Sequence, residues 1–209
     1  MPVVLPLERS HVECVLKSRA FSSIGEPKRN RALFVMQLCL GPRIHELLFL
    51  LCGDVLYRDG SLRQSIYFRK TKTAEPREIE ACNPLIGRYL RPWILRLSQL
   101  GQLHADLPLF PGRVPGRSLT RQQVYYLYTA AFRELGLRRF GTHSPRKTWA
   151  TQTYCYWLDQ QRKGRNVDPL LKVKELGGWK SLESCAHYLG FGRIDGAESQ
   201  VNLYRGWQL

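Results

Sequence analysis

The sequence has 209 residues, with 32 Lys and Arg against 17 Asp and Glu and a formal net charge of +15. This length favours one sizeable domain or two small ones. Hydrophobic residues make up 44% of the chain, which is enough for a core and argues against a disordered basic arm. Both halves are similarly basic, so we assign the charge to a folded surface. Such a surface attracts polyanions, with nucleic acid or an anionic membrane face as candidate partners.

The N-terminus lacks the basic and apolar regions of a secretory signal, and no stretch reaches 18 uncharged apolar residues. We therefore expect a cytoplasmic protein that neither is secreted nor spans a membrane. The six cysteines are widely spaced without a Cys-x-x-Cys pair, which predicts reduced core residues. The five histidines form no pair at ligand spacing, so we expect no structural metal.

Helical periodicity predicts helices over residues 8–20 and 27–40, and Gly41-Pro42 breaks the second of these. A further helix is expected to start at Arg43. From Asp54 the pattern changes to short apolar segments joined by turns. Segments 55–57, 62–68 and 77–81 predict a three-stranded antiparallel sheet.

The remainder of the sequence is predicted to be helical, with start signals such as Pro84, Thr120 and Ser144-Pro145. The predicted helices cover residues 84–100, 121–135, 144–161, 169–176 and 181–189. The expected fold class is α+β, mainly helical, with one small three-stranded antiparallel sheet. Residues 191–209 are expected to form a C-terminal tail.

Single residues carry little functional information. Arg43 could merely cap a helix, and Trp179 after two glycines is more often part of a core. His143 and Arg146, three residues apart, could be a buried histidine beside an exposed arginine. Tyr188 is one of ten tyrosines. The order and spacing of these residues are more specific than any of them alone.

Four sequence motifs and a tyrosine follow one another along the chain. They are Leu-Gly-Pro-Arg-Ile-His-Glu-Leu at 40–47, a basic turn with Lys70-Thr71, Thr-His-Ser-Pro-Arg-Lys-Thr-Trp-Ala-Thr at 142–151, Leu-Gly-Gly-Trp at 176–179, and Tyr188. Together they resemble the catalytic domain of the tyrosine recombinases, over roughly residues 7–190. The resemblance implies a catalytic domain at 1–190 and a tail at 191–209. The apolar residues of this tail fit two alternatives equally well, docking on a neighbouring protomer or folding back on its own domain.

The resemblance implies DNA cleavage and rejoining through a 3′-phosphotyrosyl intermediate, without metal or cofactor. Tyr188 would be the nucleophile, and Arg43 and Arg146 would clamp the phosphate with permanently charged donors. His143 would assist proton handling or hydrogen-bond the phosphate. Trp179 stands where most members have histidine, and its indole N–H can donate but cannot titrate.

By the same resemblance, a lysine of the basic turn is the general acid that protonates the leaving oxygen. Lys70 is the first choice and Lys72 the reserve. Glu46 would orient the arginines. The cations expected to contact DNA are Arg69, Lys72, Arg121 and Lys147. The expected partners are double-stranded DNA and further copies of the chain in a tetramer on paired sites, with no membrane partner.

The sequence departs from the family pattern at two positions and in one larger respect. Pro42 precedes the first arginine, and the stretch between Arg146 and Trp179 is longer than usual by about ten residues. We also find no separate N-terminal DNA-clamping domain, which suggests either a fragment or a catalytic-domain-only member such as the fimbrial-switch invertases. The alternatives are a type IB topoisomerase and a DNA-binding regulator that kept the fold and lost activity.

Overall fold

The computed structural model describes residues 5–69 and 75–189. These residues form ten helices and a two-stranded sheet, in the order α1 (Arg9–Lys17), α2 (Arg19–Ser23), α3 (Pro27–Leu40), α4 (Ile44–Leu48), α5 (Cys52–Val55), β1 (Ser65–Phe68), β2 (Arg77–Glu80), α6 (Pro84–Gln99), α7 (Arg121–Glu134), α8 (Ser144–Arg162), α9 (Pro169–Gly177) and α10 (Leu182–Leu189). The predicted tail, 191–209, lies outside the described residues.

Local start and stop signals explain the helix ends. Helix α3 has a proline in its first turn and ends at Gly41, whose φ of 69° is left-handed and suits glycine. Helix α7 begins with a capping box between Thr120 and Gln123. Asp168 caps α9 by accepting a hydrogen bond from the Leu171 amide. The predicted helices from α6 to α10 are therefore confirmed to within one or two residues.

The expected helix over 8–20 is two helices. The chain leaves α1 at Ser18, whose hydroxyl then accepts a hydrogen bond from the Phe21 amide and starts α2. Serine competes for backbone donors in this way because its side chain is short. The break turns Phe21 into the core, where it is completely buried.

The expected three-stranded sheet is wrong in its strand count, because the described residues contain two paired strands. Strands β1 and β2 are antiparallel, with Ser65 opposite Glu80 and Phe68 opposite Arg77. The predicted first strand, 55–57, overlaps helix α5 instead. Asp54 accepts a hydrogen bond from the Leu51 amide and so closes a helical turn. What remains of the third strand is one isolated bridge between Leu56 and Leu62. The α+β class stands.

The described residues bury two apolar clusters of unequal size. The larger, here called the main core, packs α2, α3, α6 and α7 against the sheet and includes an aromatic group of Phe21, Phe34, Tyr128 and Phe132. The smaller, here called the small core, lies among α8, α9 and α10. Its members are Trp149, Ala150, Val173, Trp179 and Cys185. The candidate site lies where the small core meets α3 and α4.

The sequence predicted that the cysteines are core residues, and this is wrong for several of them. Cys52 and Cys185 are buried, whereas Cys14, Cys82 and Cys155 are exposed, and all six are free thiols. Among the described residues no helix is long and apolar enough to cross a membrane.

Candidate active site

Helix starts bring the predicted arginines together. Arg43 is the N-cap residue of α4, and Glu46 in the first turn of that helix accepts a hydrogen bond from the Arg43 amide at 2.6 Å. Arg146 lies in the first turn of α8, behind a proline that favours helix initiation. Residues more than a hundred positions apart in sequence therefore face one carboxylate.

Glu46 is the centre of this cluster and is only 4% exposed. Arg77 of β2 donates to both of its oxygens, from Nη1 to Oε1 at 3.1 Å and from Nη2 to Oε2 at 2.9 Å. The Nη1 atoms of Arg43 and Arg146 each lie 3.8 Å from a carboxylate oxygen, beyond hydrogen-bond distance. These donors keep the pKa of Glu46 below its usual 4.5, although burial opposes the shift.

The arginine cluster carries more positive charge than Glu46 can balance. Three guanidinium groups face one carboxylate, which leaves a net charge of +2 in a mostly buried place. Burial lowers the pKa of Arg43 and lowers that of Arg146 to about 9. The Nη1 atom of Arg43 is buried and has no hydrogen-bond partner. An unpaired buried donor beside excess positive charge is suited to bind an anion.

Arg146 is held rigidly between two glycine carbonyls. Its Nη1 donates to the Gly41 carbonyl and its Nη2 to the Gly177 carbonyl at 2.7 Å. A Cβ at Gly177 would lie 1.7 Å from the Trp179 ring, and one at Gly41 would lie 2.2 Å from Trp149. Glycine is needed at both positions because the two tryptophans stack there, with ring centroids 6.4 Å apart.

The Trp179 ring packs against the guanidinium group of Arg146. The guanidinium carbon lies 4.1 Å from the centre of the ring, within cation–π range, and Trp179 is 5% exposed. This ring also contacts Tyr188 at a centroid distance of 5.1 Å. The tryptophan therefore positions both the arginine and the tyrosine by packing.

Tyr188 of α10 presents its hydroxyl at the same place. The hydroxyl donates to the backbone carbonyl of His143 at 3.3 Å, and the Arg146 guanidinium lies 5.8 Å from the ring centre. Burial raises the pKa of Tyr188 to about 12, while Arg146 and Arg43 lower it. The hydroxyl is thus neutral near pH 7 and lies beside cations that stabilise its anion.

His143 and Arg121 line an open cleft above the arginines, with a volume of about 530 Å³. The pKa of His143 lies below its usual 6.5, first because the surrounding protein removes hydration and then because Arg146, Arg43 and Arg121 repel a further cation. The imidazole is therefore neutral at physiological pH and can accept a proton. The rest of the lining consists of Arg43, Ile44, His45, Gln122, Tyr125 and Thr142.

The predicted DNA-contacting cations and the candidate general-acid lysines differ in exposure and in pairing. Arg69 is exposed and paired with Asp54 by two hydrogen bonds of 2.9 and 3.2 Å. Lys147 is half-buried in the first turns of α8, next to Arg146. Lys70 and Lys72 lie outside the described residues, so their roles stay predictions. The structure thus brings together Arg43, Glu46, His143, Arg146, Trp179 and Tyr188, with Arg121 at the cleft wall.

Arg77 is the member of the cluster that sequence reasoning missed. It is 8% exposed, and its guanidinium also lies over the Phe68 ring at 5.0 Å. One signal was available, since β2 alternates buried and exposed residues and places this arginine on the buried face together with Ile79. A charged residue on an inward position needs a buried partner. The partner itself, 31 residues earlier, was not predictable from spacing.

Comparison with solved structures shows where else this architecture occurs. The XerH site-specific recombinase bound to palindromic difH substrate in a post-cleavage complex matches with a TM-score of 0.66 at 24% identity, over 97% of this chain and 53% of that one. The XerA recombinase matches with a TM-score of 0.66 at 18% identity, over 99% and 67%. The chain has the tyrosine recombinase fold.

A mobile-element enzyme shares this tyrosine recombinase fold. The Tn1549 transposon integrase in complex with transposon right end DNA matches with a TM-score of 0.63 at 14% identity, over 97% of this chain and 66% of that one. The chain spans about half to two thirds of the length of these relatives. No family model and no curated protein sequence matches it.

A metal centre was not expected from the sequence. Within residues 5–69 and 75–189, no group of three or more His, Cys, Asp or Glu side chains is placed to hold a metal ion. The positive charge at the site comes from guanidinium groups of the chain itself.

Proposed function

We propose that this chain is the catalytic domain of a site-specific DNA recombinase that acts on double-stranded DNA. The observation that carries the proposal is the convergence of the Tyr188 hydroxyl with Arg146 and with an unpaired, buried nitrogen of Arg43. A phosphodiester in the cleft would place a charged oxygen on the arginines and its phosphorus in front of the hydroxyl. The tyrosine recombinase fold supports the same assignment.

The proposed reaction exchanges one phosphoester for another. The Tyr188 oxygen bonds to phosphorus as the bond between phosphorus and the 5′ oxygen breaks, which leaves a 3′-phosphotyrosine. The tyrosine proton passes to the neutral imidazole of His143. The 5′ oxygen takes a proton from a lysine, with Lys70 as first choice and Lys72 as reserve. Attack by a 5′ hydroxyl of the partner strand reverses these steps and rejoins the DNA.

The arginines supply most of the proposed transition-state stabilisation. Negative charge spreads over the two non-bridging oxygens during attack, and fixed donors in a mostly buried place act on it strongly. Arg146 is already held by two carbonyls and loses little freedom when the phosphate arrives. No metal ion or cofactor takes part in this scheme, because the net charge of +2 serves the same purpose.

Binding and assembly are part of the proposal. Arg121, Lys147, Arg69 and Lys72 would contact the phosphates that flank the scissile one. Strand exchange needs two duplexes cut in order, which a cyclic tetramer on paired sites provides. The tail at 191–209 would dock on the neighbouring copy.

Tyr188→Phe is the test of the proposed chemistry. The variant should form no covalent protein–DNA adduct while its DNA affinity stays within a few-fold, because the change removes one oxygen and almost no contact area. Adducts recovered from cells that carry the native DNA identify the target, and a nicked suicide duplex of that sequence then gives the rate on denaturing gels. Tyr156→Phe, an exposed tyrosine on α8, is the matched control and should retain the adduct.

Each alternative predicts a different outcome. An adduct formed by Tyr188→Phe would contradict the assignment of the nucleophile. Tight DNA binding without an adduct in the unmodified chain would identify a silent DNA-binding regulator. Relaxation of a supercoiled plasmid by the isolated monomer would identify a type IB topoisomerase-like enzyme.

A further inference from the structure

Arg77 makes the strongest contacts in the cluster although it does not line the cleft. Its two bonds of 3.1 and 2.9 Å use both oxygens of Glu46. Arg43 and Arg146 face the same oxygens at 3.8 Å and form no hydrogen bond with them. The carboxylate is thus shared unequally among three arginines, and it is held by Arg77, which does not line the cleft.

This unequal sharing matters because a free Glu46 would compete with the phosphate. A charge-assisted hydrogen bond between a guanidinium and a carboxylate needs about 2.7–2.9 Å, so Arg43 and Arg146 are each about 1 Å short of pairing. If Arg77 were absent, Arg43, whose Nη1 has no other partner, could close this gap by a small side-chain rotation. A guanidinium that paired with Glu46 in this way would direct its N–H donors towards the carboxylate and away from a bound phosphate.

We infer that Arg77 is a positioning residue that saturates Glu46 and thereby keeps the carboxylate from pairing with Arg43 and Arg146, so that both remain available to the scissile phosphate. This inference rests on the proposed function. It explains why Nη1 of Arg43 is buried without a partner next to a carboxylate. It also gives Arg77 an effect on the phosphate without any contact between the two.

A purely structural role is the competing explanation. Arg77 lies over the Phe68 ring and against Gly178, and the neighbouring Glu75 amide donates to the Gly178 carbonyl at 3.3 Å. Arg77 could therefore serve only to fasten the hairpin to the end of α9. The two roles differ in what happens when Glu46 is neutralised as well.

The decisive experiment compares Arg77→Met with the double variant Arg77→Met, Glu46→Gln. The single change leaves two guanidiniums and a free carboxylate, a net charge of +1. The double change removes the competing carboxylate and restores the wild-type net charge of +2. We expect adduct formation at saturating DNA to be about 10- to 100-fold slower in the single variant and partly restored, to at least about threefold faster than the single variant, in the double variant. DNA affinity should fall about tenfold and recover in the same pattern.

Arg96→Met is the matched control. Arg96 lies on α6, outside the cluster, and it also pairs with a glutamate, Glu26. It should leave both readouts unchanged. A double variant as slow as Arg77→Met, or slower, would overturn the positioning role, because a lost fastening cannot be repaired by Glu46→Gln. If Arg77→Met does not fold by thermal melting, Arg77→Gln with and without Glu46→Gln gives the same net charges of +1 and +2 and carries the same test.

The two proposals can fail separately. A wild-type chain that binds DNA but forms no adduct would contradict the proposed reaction, while the affinity pattern would still test Arg77. A wild-type chain that forms the adduct, with affinity and rate unchanged by Arg77→Met, would contradict the role of Arg77 alone.

Discussion

The main core and the arginine cluster beside the small core both bury an unpaired polar atom, but in opposite surroundings. In the main core the Tyr128 hydroxyl has no partner, and its neighbours are the rings of Phe21, Phe34 and Phe132. In the arginine cluster the unpaired atoms are Nη1 of Arg43 and Nε of Arg77, and the Arg43 side chain is also part of the lining of the open cleft. Tyr128 does not line this cleft, whereas Arg43 does. An unpaired buried group indicates function only where a ligand can reach it.

In the arginine cluster, we expect the largest loss of stability from substitution of Glu46. Glu46→Gln leaves three guanidiniums without a counter-charge, and we expect a loss of about 3–5 kcal/mol in the free energy of unfolding at neutral pH. Urea denaturation measures it. Glu26→Gln, in the half-exposed pair with Arg96, is the control and should cost about 1 kcal/mol or less.

The same variant gives a pH dependence of known sign. The folded-state pKa of Glu46 lies below its usual 4.5, so its contribution to stability is complete above that value and is lost as the pH falls through the folded pKa. The gap between wild type and Glu46→Gln should therefore narrow in acid. A gap that stays constant from neutral pH down to strong acid would show that Glu46 is not ionised in the cluster.

Two glycine substitutions test the packing around Trp179. One, at Gly177, should destabilise the protein, and the other, at Gly87 in α6, should stabilise it. Gly177→Ala places a methyl group 1.7 Å from the Trp179 ring, so we expect a loss of about 1–3 kcal/mol and slower adduct formation. Gly87→Ala, inside α6 with its closest neighbour at 3.7 Å, should gain about 0.5–1 kcal/mol. Thermal melting of both variants checks the signs. Equal effects at the two positions would contradict the packing geometry described for Trp179.

The smallest expected effect concerns the main core. Tyr128→Phe removes a buried hydroxyl that has no partner, and we expect the protein to be unchanged or about 1 kcal/mol more stable. Tyr126→Phe, exposed on the same helix, should stay within about 0.5 kcal/mol of wild type. A clear loss of stability in Tyr128→Phe would mean that the hydroxyl has a partner after all.

Much of the fold was predictable because its signals are local. The start and end of α3 follow from Pro27 and Gly41, and the caps of α7 and α9 are visible as Thr120 and Asp168. The segment from 52 to 57 was not predictable in this way. Its apolar residues fit a strand as well as a helix, and the hydrogen bond that the Asp54 carboxylate accepts from the Leu51 amide favours the helical turn.

For the candidate site, the sequence predicted most of the residues but not the contacts between them. The order of motifs identified a set of residues that the structure brings close together: Arg43, Glu46, His143, Arg146, Trp179 and Tyr188. It could not identify Arg77, because nothing in the local sequence links this residue to Glu46. It also could not show that Arg43 and Arg146 stop short of the carboxylate, since distances of 3.8 Å arise from the packing of α4, α8 and β2 together.

The two carbonyls that hold Arg146 also link the geometry of the candidate site to local opening of the chain. One carbonyl precedes the arginine by 105 residues and the other follows it by 31, so a single side chain connects α3, α8 and α9. Any fluctuation that lifts α8 from the end of α3 breaks the first bond and moves the guanidinium away from Glu46. If the chain cleaves DNA as proposed, the fraction of molecules able to do so depends on the opening equilibrium of the C-terminal helices, which amide hydrogen exchange in α8 and α9 reports directly.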